Sequence, residues 1–296
     1  MEQTKQKVSF TNEISRMMFG FGDSHAPNPD TVQLVEHITL LQLRTIIQEA
    51  LKYSTDGATL KGEELVFLMR RDKHKMRRFV KYLQNKKFKG TNPHQIGGMN
   101  FDPEEKPKCY LMQFIEKIDE TGEFIDLSEV DEVKLEREIR ADRMSQVLNE
   151  EQYIEFSKAR CASFCSKQIT MSNLERLKIW IDPIGKITYR LEALEVLAYL
   201  AYQTVAEITD YALLVRMDAK YHDPLQHFNN SYYTATMFNS GHKFGAINID
   251  HSRVYTGQDP ISIDEIKEVL RRIRSPQGGV LSLGGKLPET HFCFAL

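Results

Sequence analysis

The chain has 296 residues, 41% of them hydrophobic and 27% charged, with 39 Lys and Arg against 41 Asp and Glu. This is the composition of a globular protein long enough for one or two domains, and its balance near zero argues against a bulk packager of nucleic acid, which needs a large positive excess to displace counterions. No stretch approaches the 18 apolar residues of a membrane span. The polar N-terminus carries no secretory signal, and four scattered cysteines give no disulfide framework, so a reducing compartment is expected.

Residues 9–19 form a short amphipathic helix, with Phe10, Ile14, Met17 and Met18 at helical spacing. Glycines and prolines break it over residues 20–29. Asp30 and Gln33 are spaced as a capping box, opening a long helix that runs to about Tyr53. Its apolar positions, from Val32 through Leu51, cover more than one face, so other elements must wrap it. Thr55-Asp56-Gly57 ends it, residues 58–61 are extended, and residues 63–71 make a short helix. A further helix over residues 72–86 turns Met76, Phe79, Val80 and Leu83 inward. Residues 90–108 read as a flexible linker, and residues 110–118 and 130–156 as acidic helices.

The second half repeats the plan. Residues 174–181 are a short helix containing Trp180, Asp182-Pro-Ile-Gly185 breaks it, and residues 191–217 form a long helix. The stripe of that helix, Leu191, Leu194, Ala198, Ala201, Val205, Ile208, Ala212 and Val215, steps by three and four. A polar stretch at about 219–259 reads as an inserted loop. Ser262 and Glu265 then cap a last helix with Ile266, Val269, Leu270 and Ile273 as its apolar side. Residues 275–296 read as a loop-like tail in which Val280, Leu281 and Leu283 are able to pack back.

A short-long-short helical unit is the plan of the histone fold, which exposes too much apolar surface to stand alone and crosses a second unit head to tail. The expectation is an all-α chain with two histone folds forming an intramolecular pair: residues 8–88, the first fold with an extra C-terminal helix; residues 89–171, an acidic helical linker; and residues 172–274, the second fold. The linker keeps the second unit at high effective concentration.

Several stretches carry a family resemblance in the same order along the chain. They are Leu65-Val-Phe-Leu-Met-Arg-Arg-Asp-Lys-His-Lys-Met-Arg-Arg-Phe-Val-Lys-Tyr-Leu83, Ile118-Asp-Glu-Thr-Gly-Glu123, Asp131-Glu-Val-Lys-Leu-Glu-Arg137, Glu151-Gln-Tyr-Ile-Glu-Phe156 and Leu197-Ala-Tyr-Leu-Ala-Tyr-Gln-Thr-Val205. Together they resemble the third Suppressor-of-Ty protein family, subunits of the SAGA coactivator. The resemblance implies halves similar to TBP-associated factors thirteen and eleven, a place in the SAGA core beside other histone-fold subunits, contact with the TATA-binding protein, promotion of pre-initiation complex assembly, and a nuclear location. Thr59 and Glu64 stand where family members often carry an Arg–Asp clamp, and Gln203 where an acidic residue is frequent.

A basic partner suits an acidic and aromatic face. Opposite the stripe of the second long helix lie Glu192, Glu195, Tyr199, Tyr202, Gln203 and Glu207, the expected partner-binding residues. A solvated or internally packed face is the plainer account of the same residues. From Arg70 to Lys89 there are ten Lys or Arg and a single acid, Asp72; Arg77, Arg78, Lys81, Lys86 and Lys87 are the expected contacts to nucleic acid or to an acidic subunit, with DNA secondary. A general transcription factor subunit and a DNA-binding histone-fold protein are the alternative functions. No cofactor, metal, small-molecule substrate or catalysis is expected. His222, Asp223, His227, His242 and His251 lack metal-ligand spacing, Cys161 and Cys165 have no partners at zinc-finger spacing, and phosphate-loop and nucleophile-elbow motifs are missing.

Overall fold

The computed structural model describes residues 8–89, 109–165, 173–220, 259–274 and 293–296. Helix α1 (Thr11–Phe21) buries Ile14, Met17 and Met18 and stops at Gly22, whose φ of 115° lets its N–H turn back to the Met18 and Phe19 carbonyls. Helix α2 (Pro29–Leu51) starts one residue before the expected capping box: Pro29 takes the first helical position and the Asn28 side chain accepts from the Asp30 N–H at 2.9 Å. Strand β1 (Thr59–Leu60) and helices α3 (Gly62–Met69) and α4 (Lys73–Lys89) follow. Glu64 closes the start of α3 by accepting from the Lys61 N–H at 2.7 Å.

The connecting region forms α5 (Tyr110–Ile118), α6 (Glu132–Val147) and α7 (Glu150–Arg160). The single helix expected over residues 130–156 is therefore two. Leu148 leaves the helical conformation, and Asn149 and Gln152 make a new capping box, each side chain accepting from the other's N–H at 2.9 and 3.1 Å. The second half comprises α8 (Asn173–Ile181), β2 (Thr188–Tyr189), α9 (Leu191–Lys220) and α10 (Ile263–Arg274). The Ser262–Glu265 capping box is formed as expected. The linker 90–108, most of the inserted loop and residues 275–292 of the tail lie outside the described residues.

Two long helices organise the core, and each is covered by short helices from the other half. Helix α9 packs on α1, α2 and α3 as well as on its own α8 and α10, while α2 receives α8 and α10. Both ends of this crossing are tied by hydrogen bonds, backbone to backbone at one end and side chain to backbone at the other. At one end β1 and β2 pair in parallel, Thr59 opposite Thr188 and Leu60 opposite Tyr189, with the Thr188 N–H donating to the Ala58 carbonyl at 2.9 Å. At the other, the Ile261 N–H donates to Asp23 Oδ1 at 2.8 Å and its carbonyl accepts from Thr31 Oγ1 at 2.8 Å. Residues far apart in sequence thus close both ends, which is why neither half buries its long helix by itself.

One apolar cluster runs through both halves, from Phe10 and Val35 to Leu200, Ile208 and Ile266. Phe10 meets Phe164 and Trp180 with ring centroids 5.1 Å apart in each case, and Arg176 lies over Phe10 while pairing with Glu13 and the Ser9 carbonyl. A small second cluster, Phe19, Ala141, Met144, Phe156 and Ala159, seats α6 and α7 on α1. The last residues dock as well: Cys293, Phe294 and Ala295 are buried, the Phe294 N–H donates to Gln42 Oε1 at 3.0 Å, and Lys75 Nζ donates to the Phe294 carbonyl at 2.6 Å.

Candidate interaction surface

The polar side of α9 is closed over rather than open. Leu191, the first residue of the expected stripe, is exposed, whereas Tyr199 and Glu207 on the opposite side are buried, at 7% and 6% exposure. The reason is tertiary, because α4 and α6 lie across that side. Tyr199 packs between Phe79 and Tyr82 of α4, centroids 5.0 and 4.8 Å away, and burial raises its phenol pKa. Tyr202 is half-buried against Phe21 at 5.1 Å. Gln203 Oε1 faces Arg137 Nη1 of α6 at 3.5 Å.

Glu207 anchors a buried charge network. Burial raises its carboxyl pKa, opposed by Lys75, Arg137 and Arg78; Lys75 Nζ lies 3.5 Å away and Arg78 Nη1 3.9 Å. One helical turn on, Asp210 accepts from Arg137 Nε at 2.6 Å and also pairs with Arg140. Burial works against the Arg137 charge, but Asp210 and Glu207 outweigh it and hold the guanidinium above its ordinary value. Two carboxylates on consecutive turns of α9 therefore fix α4 and α6 to it.

The same geometry turns part of the basic run onto the chain's own acids. Arg77 pairs with Glu129 and donates to the Glu123 carbonyl at 2.7 Å; Arg78 pairs with Asp131, Nη2 to Oδ1 at 2.9 Å. Lys86 Nζ reaches Glu195 Oε1 at 2.7 Å; burial lowers the lysine pKa, but the carboxylate outweighs it and holds it above the ordinary value. Three of the five residues expected to face nucleic acid or a subunit are thus turned onto the chain's own acids. Lys81 is exposed, and the Lys87 side chain lies outside the described residues. Two of these pairs, Arg77–Glu129 and Arg78–Asp131, join the basic helix to the acidic linker.

Of the six α9 residues, Glu192 and Glu195 at the N-terminal end and Tyr202 and Gln203 in the middle keep partial exposure. Sequence reasoning missed the partners that define this surface: Arg137 and Arg140 of α6 and Lys75 of α4. Only Lys75 lies in the basic run, Arg137 and Arg140 fall in an acidic stretch, and no periodicity links any of the three to carboxylates 70 or more positions away. Among the described residues no group of three His, Cys, Asp or Glu is placed to hold a metal ion, and no helix is long and apolar enough to cross a membrane. The histidines of the inserted loop lie outside those residues.

With this geometry in place, comparison with known proteins defines the class first. Residues 8–97 match the family model described as Transcription initiation factor IID, 18kD subunit, a histone-fold type of domain, and a TFIID subunit 13 from Dictyostelium discoideum is 32% identical over 81 residues, 27% of this chain and 76% of that protein. The similarity over the rest is more particular. A SAGA complex subunit Spt3 from Drosophila melanogaster is 30% identical over 275 residues, covering 90% of this chain and 68% of that protein. A second, from Schizosaccharomyces pombe, is 25% identical over 93% of both chains. The chain belongs to the Spt3 family of SAGA complex subunits. It is accordingly a mostly helical transcription subunit with a TFIID-type domain at its N-terminus.

Proposed function

We propose that the chain is a nuclear adaptor in which residues 8–88 and 172–274 form two histone folds paired within one molecule, joined by residues 89–171. The observation that carries this reading is the reciprocal packing of α1 and α3 on α9 and of α8 and α10 on α2, tied at one end by a backbone strand pair and at the other by hydrogen bonds from the Asp23 and Thr31 side chains to the Ile261 backbone. In this reading the adaptor works by binding, within a SAGA-type complex alongside other histone-fold subunits, and promotes pre-initiation complex assembly by docking the TATA-binding protein. The α9 surface left to a basic partner is Glu192 and Glu195 with Tyr202 and Gln203 beside them; Tyr199 and Glu207 support it from beneath. Relatives that span the chain are named as SAGA subunits, while the TFIID subunit from Dictyostelium discoideum matches only about a quarter of it, and this favours the SAGA reading over a general-factor subunit. The internal pairing of Arg77, Arg78 and Lys86 speaks against DNA as the principal partner.

The test is fluorescence anisotropy of labelled TATA-binding protein against the full chain at physiological salt. Glu192→Lys with Glu195→Lys is expected to weaken binding about tenfold or more, roughly 1.4 kcal/mol, in a chain that stays folded with only a small drop in melting temperature from the lost Lys86–Glu195 pair. Lys86→Ala, which releases Glu195, is expected to leave binding intact or strengthen it. Unchanged affinity of a folded Glu192→Lys/Glu195→Lys variant refutes this face.

A further inference from the structure

Helix α6 has too little apolar contact to be explained by its own packing. Only Ala141 and Met144 are buried along its sixteen residues, in the small Phe19–Phe156 cluster, and the rest of its hold on the body is ionic, with Arg137 and Arg140 turned inward onto Asp210 and the Asp131 cap paired with Arg78. That arrangement sorts the helix by charge. With two of its cations inside, the outward stripe is Glu132, Leu135, Glu138, Ile139 and Asp142, all exposed and lying at i, i+3, i+6, i+7 and i+10 on one face. Leu135 and Ile139 remain 45% and 40% exposed, one turn apart, where a helix otherwise this polar has no need of aliphatic residues. Val130, 65% exposed, precedes the Asp131 cap at the same end of the helix as Leu135. The flanking carboxylates have only local company: Lys134 Nζ lies 3.7 Å from Glu138 and Gln146 donates to Asp142 at 3.0 Å.

We infer that the outer face of α6 is a docking ridge for a basic amphipathic helix of a partner protein. Charge complementarity fixes the occupant: Leu135 and Ile139 take the partner's apolar seam, spaced at i and i+3 or i+4, while Glu132, Glu138 and Asp142 meet Lys or Arg on its flanks. A bare polycation would not need the two aliphatic residues, and an apolar segment would not need the three acids. The ridge is distinct from the α9 surface proposed for the TATA-binding protein and does not depend on that reading. It would let one chain hold two partners at once.

The experiment uses the full chain and a fluorescein-labelled peptide of about 20 residues in which Leu at helical spacing alternates with Lys, compared with a scrambled isomer of the same composition. By anisotropy at physiological salt the amphipathic peptide is expected to bind at least tenfold more tightly than the isomer. Leu135→Asp with Ile139→Asp should weaken it at least tenfold, and Glu132→Gln, Glu138→Gln and Asp142→Asn together should weaken it and flatten its salt dependence. Hydrogen exchange of α6 verifies that the helix stays seated, because none of these substitutions touches Arg137, Arg140 or Asp210. Glu192→Lys with Glu195→Lys should leave peptide binding unchanged. Equal binding of the two peptides, full binding by a seated Leu135→Asp/Ile139→Asp variant, loss of binding in the α9 variant, or self-association of the chain through Leu135 and Ile139 would each overturn the inference.

Discussion

Replacing Asp210 by Asn tests whether charge rather than apolar contact holds α6 on the body. The Asp210 side chain is 12% exposed and faces two guanidiniums, Arg137 at 13% and Arg140 at 22% exposure. Removing its charge leaves both without their counter-ion; Glu207 compensates Arg137 in part, and the more exposed Arg140 regains water. Loss of one partner of a buried pair costs about 3–5 kcal/mol, and these two mitigations place Asp210→Asn near the lower end, roughly 3 kcal/mol. Because Ala141 and Met144 are the buried apolar residues of α6, the loss should appear as local opening before global unfolding. Hydrogen exchange read by mass spectrometry should show protection over residues 132–147 falling about a hundredfold while α2 is unchanged. Arg137→Met with Asp210→Leu should be less damaging than the sum of the single substitutions by about 2 kcal/mol. Protection of α6 within threefold of the parent would refute the reasoning and return the anchorage to the Phe19–Phe156 cluster.

Two further predictions follow from groups tied to chain segments. Burial pushes the Asp23 carboxyl up to about 6, against an ordinary value near 4, despite hydrogen bonds from the Ile261 and Ser24 N–H groups. The folded state therefore binds the proton more tightly than the unfolded state, so this group's contribution falls as pH rises from about 4 to 6, by on the order of 3 kcal/mol. Asp23→Asn should flatten urea-unfolding stability over that window; parallel curves for parent and variant would show that the carboxyl does not titrate there. For the docked C-terminal residues, Phe294→Ala removes a ring buried at 1% exposure and lying 5.9 Å from Tyr211. In a background with Cys109, Cys161 and Cys165 changed to Ser, Cys293, whose thiol burial pushes up to about 11, should react with a thiol reagent at least tenfold faster in the variant. An unchanged rate would mean the segment stays seated without its ring.

Local rules made much of the fold legible from the residues. The short-long-short order of helices in both halves, the breaks at Gly22 and Asp182, the extended residues 58–61 and the Ser262–Glu265 cap are set by neighbours within four positions, where periodicity and capping act. The family, too, is carried by the order of residues alone. What that level could not supply was the fate of each polar face. Glu207 and Tyr199 have the spacing of a solvent side, yet α4 and α6 cover them. The basic run from Arg70 to Lys89 has the spacing of an outer face, yet Arg78 finds Asp131 and Lys86 finds Glu195. Phe294 is read as part of a loop, yet it is core. These outcomes depend on which distant segments are brought together when two long helices cross. An ion pair between residues as far apart as Arg78 and Asp131 or Lys86 and Glu195 leaves no period in the sequence, so the chain's own acids and bases could be matched only after the tertiary structure had placed them within reach.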